Sequence, residues 1–141
     1  MNLRSSTIKG VIGEVGVAAA PGEKLTIMQG DIVRINVAFD YRGLAVDGTL
    51  YCAIGKVWPL GIFDEIAVGS KAIHLNESFD FVPYTAYVDI DSSPCSPQAN
   101  YDISAKISEY IDQAYVEILN VIDVVGAPEF RDFEIISYDK L

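Results

Sequence analysis

Hydrophobic residues recur at every second position along much of this chain. The longest example covers residues 31–41, where the apolar members of the alternation are Val33, Ile35, Val37, Phe39 and Tyr41. Successive side chains of a β-strand point to opposite faces, so this alternation predicts a half-buried strand. The pairs Pro21-Gly22 and Arg42-Gly43 predict turns on either side, and Gln29-Gly30 predicts a bulge or bend just before the strand.

Similar segments predict further strands along the rest of the chain. They cover residues 8–17, 25–28, 49–54, 62–68, 71–79, 82–90, 101–107 and 133–138. Gly10, Gly13 and Gly16 weaken the side-chain packing of the first of these, which predicts an edge position or a close backbone approach for it. Short strands at regular spacing with turn residues between them are typical of a β-sandwich or barrel, and they disfavour a βαβ array.

The segment 108–125 carries two conflicting patterns. Its apolar residues follow a helical spacing of alternately four and three positions, at Ile111, Tyr115, Ile118, Ile122 and Val125. Gly126 and Pro128 would then stop the helix. The same segment is rich in β-branched residues, which favour strands. We therefore expect a helical turn or loop near residues 108–115 and a strand over 119–125, with one long helix as the alternative.

The length of the chain indicates one domain over residues 1–141, of which residues 1–6 are expected to be flexible, and the alternating segments make it all-β. The predicted fold is a two-sheet antiparallel β-sandwich of immunoglobulin-like or jelly-roll type, and a short helix near residues 108–118 is its one helical element. Half of the residues are hydrophobic, 21% are charged and the mean hydropathy is +0.26. The chain is thus more apolar than an average soluble domain, and the excess could serve an interface.

The charge of the chain argues against several partners. Twenty acidic residues against ten basic ones give a net charge of −10, which repels phosphate backbones and anionic membranes. The basic residues are scattered, so we expect no nucleic-acid partner. We also expect no membrane partner, because no apolar run reaches spanning length and the first ten residues lack a signal-peptide core. A virion or cell-surface location is favoured, and a cytoplasmic one stays open.

Candidate chemistry is sparse, and we predict no enzyme, no catalytic residue and no cofactor. His74 is the single histidine, and no nucleophile motif, phosphate loop or zinc spacing accompanies it. Cys52 and Cys95 are expected to be free thiols, with one disulfide as the alternative. No metal site is predicted, because Asp89, Asp91 and their neighbours supply too few oxygens for Ca²⁺.

Aromatic residues are the more suggestive group, with eight Tyr, six Phe and one Trp. Trp58 lies in a proline-containing loop, and Tyr51 and Tyr87 lie on strand faces opposite the expected core. Exposed rings bind sugars or proteins because they provide large contact area at small entropic cost. These three are the candidate ligand-binding residues, against the alternative that the rings fill the core or cover its edges.

Two stretches of the chain resemble a known class of module. The turn Ala20-Pro21-Gly22-Glu23 before the strand at 31–41 resembles the opening of immunoglobulin-like modules of prokaryotic surface proteins and phage structural proteins. Residues 130–140, after Gly126-Ala127-Pro128, look like the closing strand of such a module. The resemblance covers about a third of the chain, and it implies a spacer, surface or adhesion role without an active site.

Three functions follow from these observations. The leading one is a non-enzymatic structural or assembly module, such as a virion decoration or fibre component or a surface-appendage domain. Its expected partner is the chain itself or a larger protein assembly, such as a homo-oligomer, capsid, tail or filament. The alternative is a module that binds carbohydrate or protein, and the third is an enzyme that uses scattered carboxylates.

Overall fold

The computed structural model describes the backbone of residues 3–12 and 15–141, and the side chains from residue 19 onward. The described residues form nine β-strands and one turn of 3-10 helix. The strands are β1 (Leu3–Ile12), β2 (Val15–Ala19), β3 (Leu25–Met28), β4 (Ile32–Gly43), β5 (Val46–Val57), β6 (Phe63–Leu75), β7 (Ser78–Asp91), β8 (Gln98–Ile107) and β9 (Tyr115–Val125). The helical turn covers Ser108–Tyr110.

The strands form two sheets, which confirms the predicted all-β class. A four-stranded sheet has the order β2-β1-β4-β7, and a five-stranded sheet has the order β3-β9-β8-β5-β6. Neighbouring strands are antiparallel except β3 and β9, which run parallel with Leu25 opposite Ile122. The bend predicted at Gln29-Gly30 is present, with Gly30 at φ 99°, and it carries the chain from the five-stranded sheet into the four-stranded one.

One hydrophobic core joins the two sheets. On β4 the alternating apolar residues from Val33 to Phe39 are at most 1% exposed, whereas the residues between them are partly exposed. Ile35 lies opposite Val88 of β7, and both belong to the same buried cluster as Leu50 of β5 and Ile122 of β9. Burial of each such aliphatic side chain contributes roughly 1.5–3 kcal/mol. The face predicted from the alternation is therefore the core face.

The segment 108–125, for which the sequence allowed a helix or a strand, is mainly a β-strand. The 3-10 turn is followed by β9, so the alternative of one long helix is wrong, and the strand begins earlier than predicted. Ile103 of β8 pairs with Ile118, and Tyr101 pairs with Ile122, so three residues of β9 lie opposite Asp102 alone. This bulge, with Asn120 at φ 58°, shifts the side-chain alternation. Ile118 and Ile122 on either side of it are therefore four positions apart, which is also a helical spacing.

The expected single strand over residues 8–17 is a hairpin instead. Ile8 of β1 pairs with Ala19 of β2, and the other side of β1 pairs with β4. The edge position predicted for this segment therefore belongs to β2 alone. Gly13, one of the three glycines used in that prediction, lies outside the described residues. Hydrophobic periodicity does not mark where a chain pairs back on itself, so the sequence pattern predicted one strand here.

The strand predicted over residues 133–138 is not formed within this chain. Residues 126–141 contain no helix or strand, and we call residues 127–141 the arm. Its large apolar side chains are at least 86% exposed, and they are Phe130, Phe133, Ile135, Ile136, Tyr138 and Leu141. A strand requires a partner for its backbone hydrogen bonds, and no described strand lies beside the arm.

Candidate functional site

The edge strands of the two sheets, β6 and β7, meet at two places. Residues 76–77 join the end of β6 to the start of β7. Further along, Gly69 of β6 packs directly against β7. A Cβ atom at position 69 would lie 2.6 Å from the carbonyl oxygen of Asp89 and 2.7 Å from Val88 Cγ1. Only glycine allows this approach of the two strands.

Between these two contacts the strands separate. β6 covers the distance with residues 69–75, whereas β7 uses residues 78–89. At about 3.3 Å per residue the path along β7 is longer by roughly 16 Å, so β7 must bow away from β6. The space that results is a cleft of about 640 Å³. We call it the β6/β7 cleft.

The lining of the β6/β7 cleft is mainly apolar. Its apolar members come from β4, β6 and β7, and they include Val37, Phe39, Ile73, Leu75, Tyr84 and Ala86. The ring of Tyr84 stacks on Phe39, with ring centres 5.7 Å apart, and its hydroxyl accepts a hydrogen bond of 3.0 Å from the backbone N–H of Asn76. Tyr84 is thereby held in place at one end of the cleft.

Two unpaired strand edges border the cleft. Among the described strands, β7 pairs only with β4 and β6 pairs only with β5. Pro83 lies within β7, and a proline without an N–H group is accommodated in a strand where the backbone nitrogen points away from the neighbouring strand. Thr85 and Tyr87 follow Pro83 at the same parity and in unbroken register with β4. Their backbone groups therefore point outward, toward the free edge.

A charged cluster lies at the rim of the cleft. Arg34 donates two hydrogen bonds to Asp89, Nε to Oδ1 at 2.8 Å and Nη2 to Oδ2 at 3.0 Å. The Arg34 guanidinium and the Lys71 ammonium also lie 3.9 and 4.0 Å from the ring centre of Tyr87. The hydrogen bonds from Arg34 lower the pKa of Asp89, and the charge of Lys71 adds to this effect. The cluster keeps both cations in place beside the edge of β7.

His74 is paired with a carboxylate, and the two cysteines are buried. His74 Nδ1 lies 2.7 Å from Asp47 Oδ1, and these two residues are direct cross-strand neighbours on β6 and β5. Cys52 and Cys95 are free, as predicted, and both are buried. Burial raises the pKa of Cys52 to about 12 and that of Cys95 to about 11, so neither thiol ionises at neutral pH.

The carboxylates considered for calcium are also engaged. Asp91 Oδ1 accepts hydrogen bonds from the backbone N–H and the hydroxyl of Ser93, which lower its pKa, and Asp89 is bound by Arg34. Within the described part of the chain, no three His, Cys, Asp or Glu side chains converge on a common point.

The three aromatic residues predicted to bind a ligand lie on different parts of the fold. Trp58 is 55% exposed in the turn between β5 and β6. Tyr51 lies in β5 of the five-stranded sheet, where its hydroxyl donates to Glu65 Oε1 at 3.2 Å and Lys106 lies 4.8 Å from its ring centre. Tyr87 lies in β7 of the four-stranded sheet and lines the β6/β7 cleft.

Sequence reasoning missed the cleft, although two signals for it exist. Pro83 in the middle of an apolar alternating segment indicates an edge strand. Gly69, in an otherwise unbroken strand, indicates a close backbone approach. Neither signal identifies the strand on the opposite side of the gap, because that depends on how the two sheets pack.

No described helix is long and apolar enough to cross a membrane. No model of a known protein family matches this chain, and no curated protein matches it significantly.

Proposed function

We propose that this protein is a non-enzymatic structural module that assembles with other protein subunits, as a virion decoration or fibre component or a surface-appendage domain does. The observation that carries the proposal is the arm. Six large apolar side chains within residues 127–141 are at least 86% exposed. Scattered apolar residues are normal on a surface, but here six large exposed apolar side chains fall within twelve residues, interrupted by charged and polar ones, and such a concentration favours an interaction site.

The strand arrangement supports an immunoglobulin-like sandwich as the framework of this module. The chain enters the five-stranded sheet with β3 parallel to β9, while the other pairs are antiparallel. Near the start of β8, the hydroxyl of Tyr101 donates a 2.7 Å hydrogen bond to the carbonyl oxygen of Ser96. A buried tyrosine bonded to the backbone a few residues upstream at this corner is characteristic of immunoglobulin-like domains.

Free strand edges favour assembly through the backbone. The edge strands of the two sheets are β2, β7, β3 and β6. An extended peptide can add to such an edge as a further strand, with main-chain hydrogen bonds for affinity and side-chain pockets for specificity. The arm supplies an extended segment, and the β6/β7 cleft supplies an edge beside an apolar pocket.

The exposed turn between β5 and β6 supports a second candidate function, which is binding of a protein partner. Trp58, Leu60 and Ile62 are 55%, 96% and 64% exposed within this one turn. Such an apolar cluster suits an apolar protein surface, since a tryptophan at the centre of an interface is a frequent hot spot. If this turn carries the function, Trp58→Ala should abolish capture of the partner while substitutions in the arm have no effect.

The assembly proposal is tested with the full chain and a variant in which Phe133, Ile135, Ile136 and Tyr138 are replaced by serine. We expect the wild-type protein to form oligomers in sedimentation velocity at micromolar concentration and the variant to sediment as a monomer, because the apolar contacts of the arm are lost. A matched control replaces Arg131 and Asp132 by serine in the same arm and should oligomerise like the wild type. A wild-type protein that stays monomeric at every concentration would contradict the proposal.

A further inference from the structure

We infer that the β6/β7 cleft of one copy of this chain accepts the arm of a second copy as an added β-strand along the edge of β7. This inference rests on the proposed assembly function and names its docking site. The added strand would become the fifth member of the four-stranded sheet, beside residues 84–87.

The cleft offers both parts of a strand-addition site. Thr85 and Tyr87 direct their backbone groups outward, so an incoming strand finds donors and acceptors in regular spacing. The stretch is bounded on one side by Pro83, which has no N–H, and on the other by the Gly69 contact with Val88. The cleft between β6 and β7 has a volume of about 640 Å³, which would hold the added strand together with the side chains that it directs at the apolar lining.

The arm has matching features. Phe133 and Ile135 alternate with Glu134, so one face of an extended arm is apolar at this point. With Phe133 and Ile135 in the cleft, Glu134 faces the opposite side of the sheet, where Lys71 stacks on Tyr87. The charges are thus complementary across the added strand.

The exposed area of the arm is sufficient for a specific interface. Phe130, Phe133 and Tyr138 are at least 89% exposed. In an extended arm Phe133 enters the cleft, whereas Phe130 and Tyr138 have the opposite parity and would pack on the other side of the sheet. Burial of all three rings would remove about 450–750 Å² from water, and a standard interface buries about 800 Å² on each partner. The exposed Ile135, Ile136 and Leu141 can supply the remainder.

The arm is too short to enter the cleft of its own chain, so the arm of a second copy must be the occupant. The arm leaves the fold at the end of β9, and three strand spacings, about 14 Å, separate β9 from β6. Along the strands, Val124 is level with Gln98, whereas Ile73 of the cleft is level with Gly48 near the other end of the sheet, about 30 Å away. Extended chain from Gly126 to Phe133 spans at most about 25 Å. Phe133 therefore cannot fill the cleft of its own chain.

The resulting contact joins different surfaces of the two copies. The arm of one copy enters the cleft of the next, which leaves a free cleft at one end of the pair and a free arm at the other. Such head-to-tail contacts form rings if the rotation closes and filaments if it does not. This geometry allows a complementation experiment with two full-length variants.

The first variant, Thr85→Pro, disables the cleft, and the second, Phe133→Asp with Ile135→Asp, disables the arm. Thr85→Pro removes an outward N–H at a position with the same parity as Pro83, so the ladder with β4 keeps its bonds. Each variant alone should sediment as a monomer, with association weakened by about tenfold or more. An equimolar mixture has one intact cleft and one intact arm, and it should form a heterodimer that grows no further.

Other outcomes separate the docking site from the assembly function. If the wild type oligomerises and Thr85→Pro oligomerises equally well, the cleft is not the acceptor, although assembly stands. If each variant is monomeric and the mixture does not pair, the arm and the cleft are not partners. If the wild type is monomeric throughout, the assembly proposal fails and the docking site fails with it.

Folding controls keep the test decisive. Thr85→Ala retains the N–H and should assemble like the wild type, and far-UV circular dichroism should show the same β-sheet spectrum for all variants. If Thr85→Pro does not fold, Ile73→Glu replaces it, because the apolar face of the arm would bury the new carboxylate on the cleft wall and remove its hydration. Normal assembly of a folded Ile73→Glu protein overturns the inference.

Discussion

At the scale of single residues, Asp102 shows how a buried polar group stabilises irregular strands. Its side chain accepts hydrogen bonds from the backbone N–H groups of Val57 and Asn120, at 2.8 and 2.7 Å, and the residue is 5% exposed. Asp102→Ala leaves these two amides without acceptors and should lower the free energy of unfolding by about 2–5 kcal/mol in urea denaturation. Asp112→Ala, in an exposed turn, should lower it by less than about 0.5 kcal/mol. Equal losses would mean that the buried carboxylate does not support the bulge.

At the scale of elements, β4 contains a matched pair of isoleucines. Ile35 is completely buried, whereas Ile32 in the same strand is 39% exposed. Ile35→Ala should lower the free energy of unfolding by about 2–5 kcal/mol, because it removes buried methyl groups and leaves a cavity. Ile32→Ala should lower it by less than about 1 kcal/mol. The two values are measured by thermal and urea unfolding, and similar losses would show that the core face of β4 is assigned incorrectly.

At the scale of the whole molecule, a net charge of −10 opposes the association of identical subunits. Added salt screens this repulsion, since the Debye length falls from about 10 Å at 0.1 M to about 3 Å at 1 M. If apolar contacts of the arm hold the subunits together, the weight-average mass in light scattering should therefore rise with salt. The variant with four serines in the arm provides the baseline. A mass that falls with salt would instead indicate an interface held by ion pairs.

The amino-acid sequence determined the features that depend on neighbouring positions. Alternation in β4 identified the buried face, because the side-chain period of a strand is a local property. The β-branched residues of β9 favoured a strand over a helix despite the helical spacing, because their side-chain rotamers are restricted in a helix, which is also a local property. The all-β class followed from such segments, and the exposed position of Trp58 was consistent with its proline-containing turn.

Only the tertiary structure decided which segments have partners. Residues 133–138 have the alternation of a strand and form none here, because strand formation depends on a neighbour that can bond to the backbone. The β6/β7 cleft depends on the approach of Gly69 to Asp89, which lie on different sheets. The burial of the Asp102 carboxylate is likewise explained only by its hydrogen bonds from the backbone N–H groups of Val57 and Asn120. Contacts between residues far apart in the chain decide what covers an apolar face, and local periodicity carries no information about them.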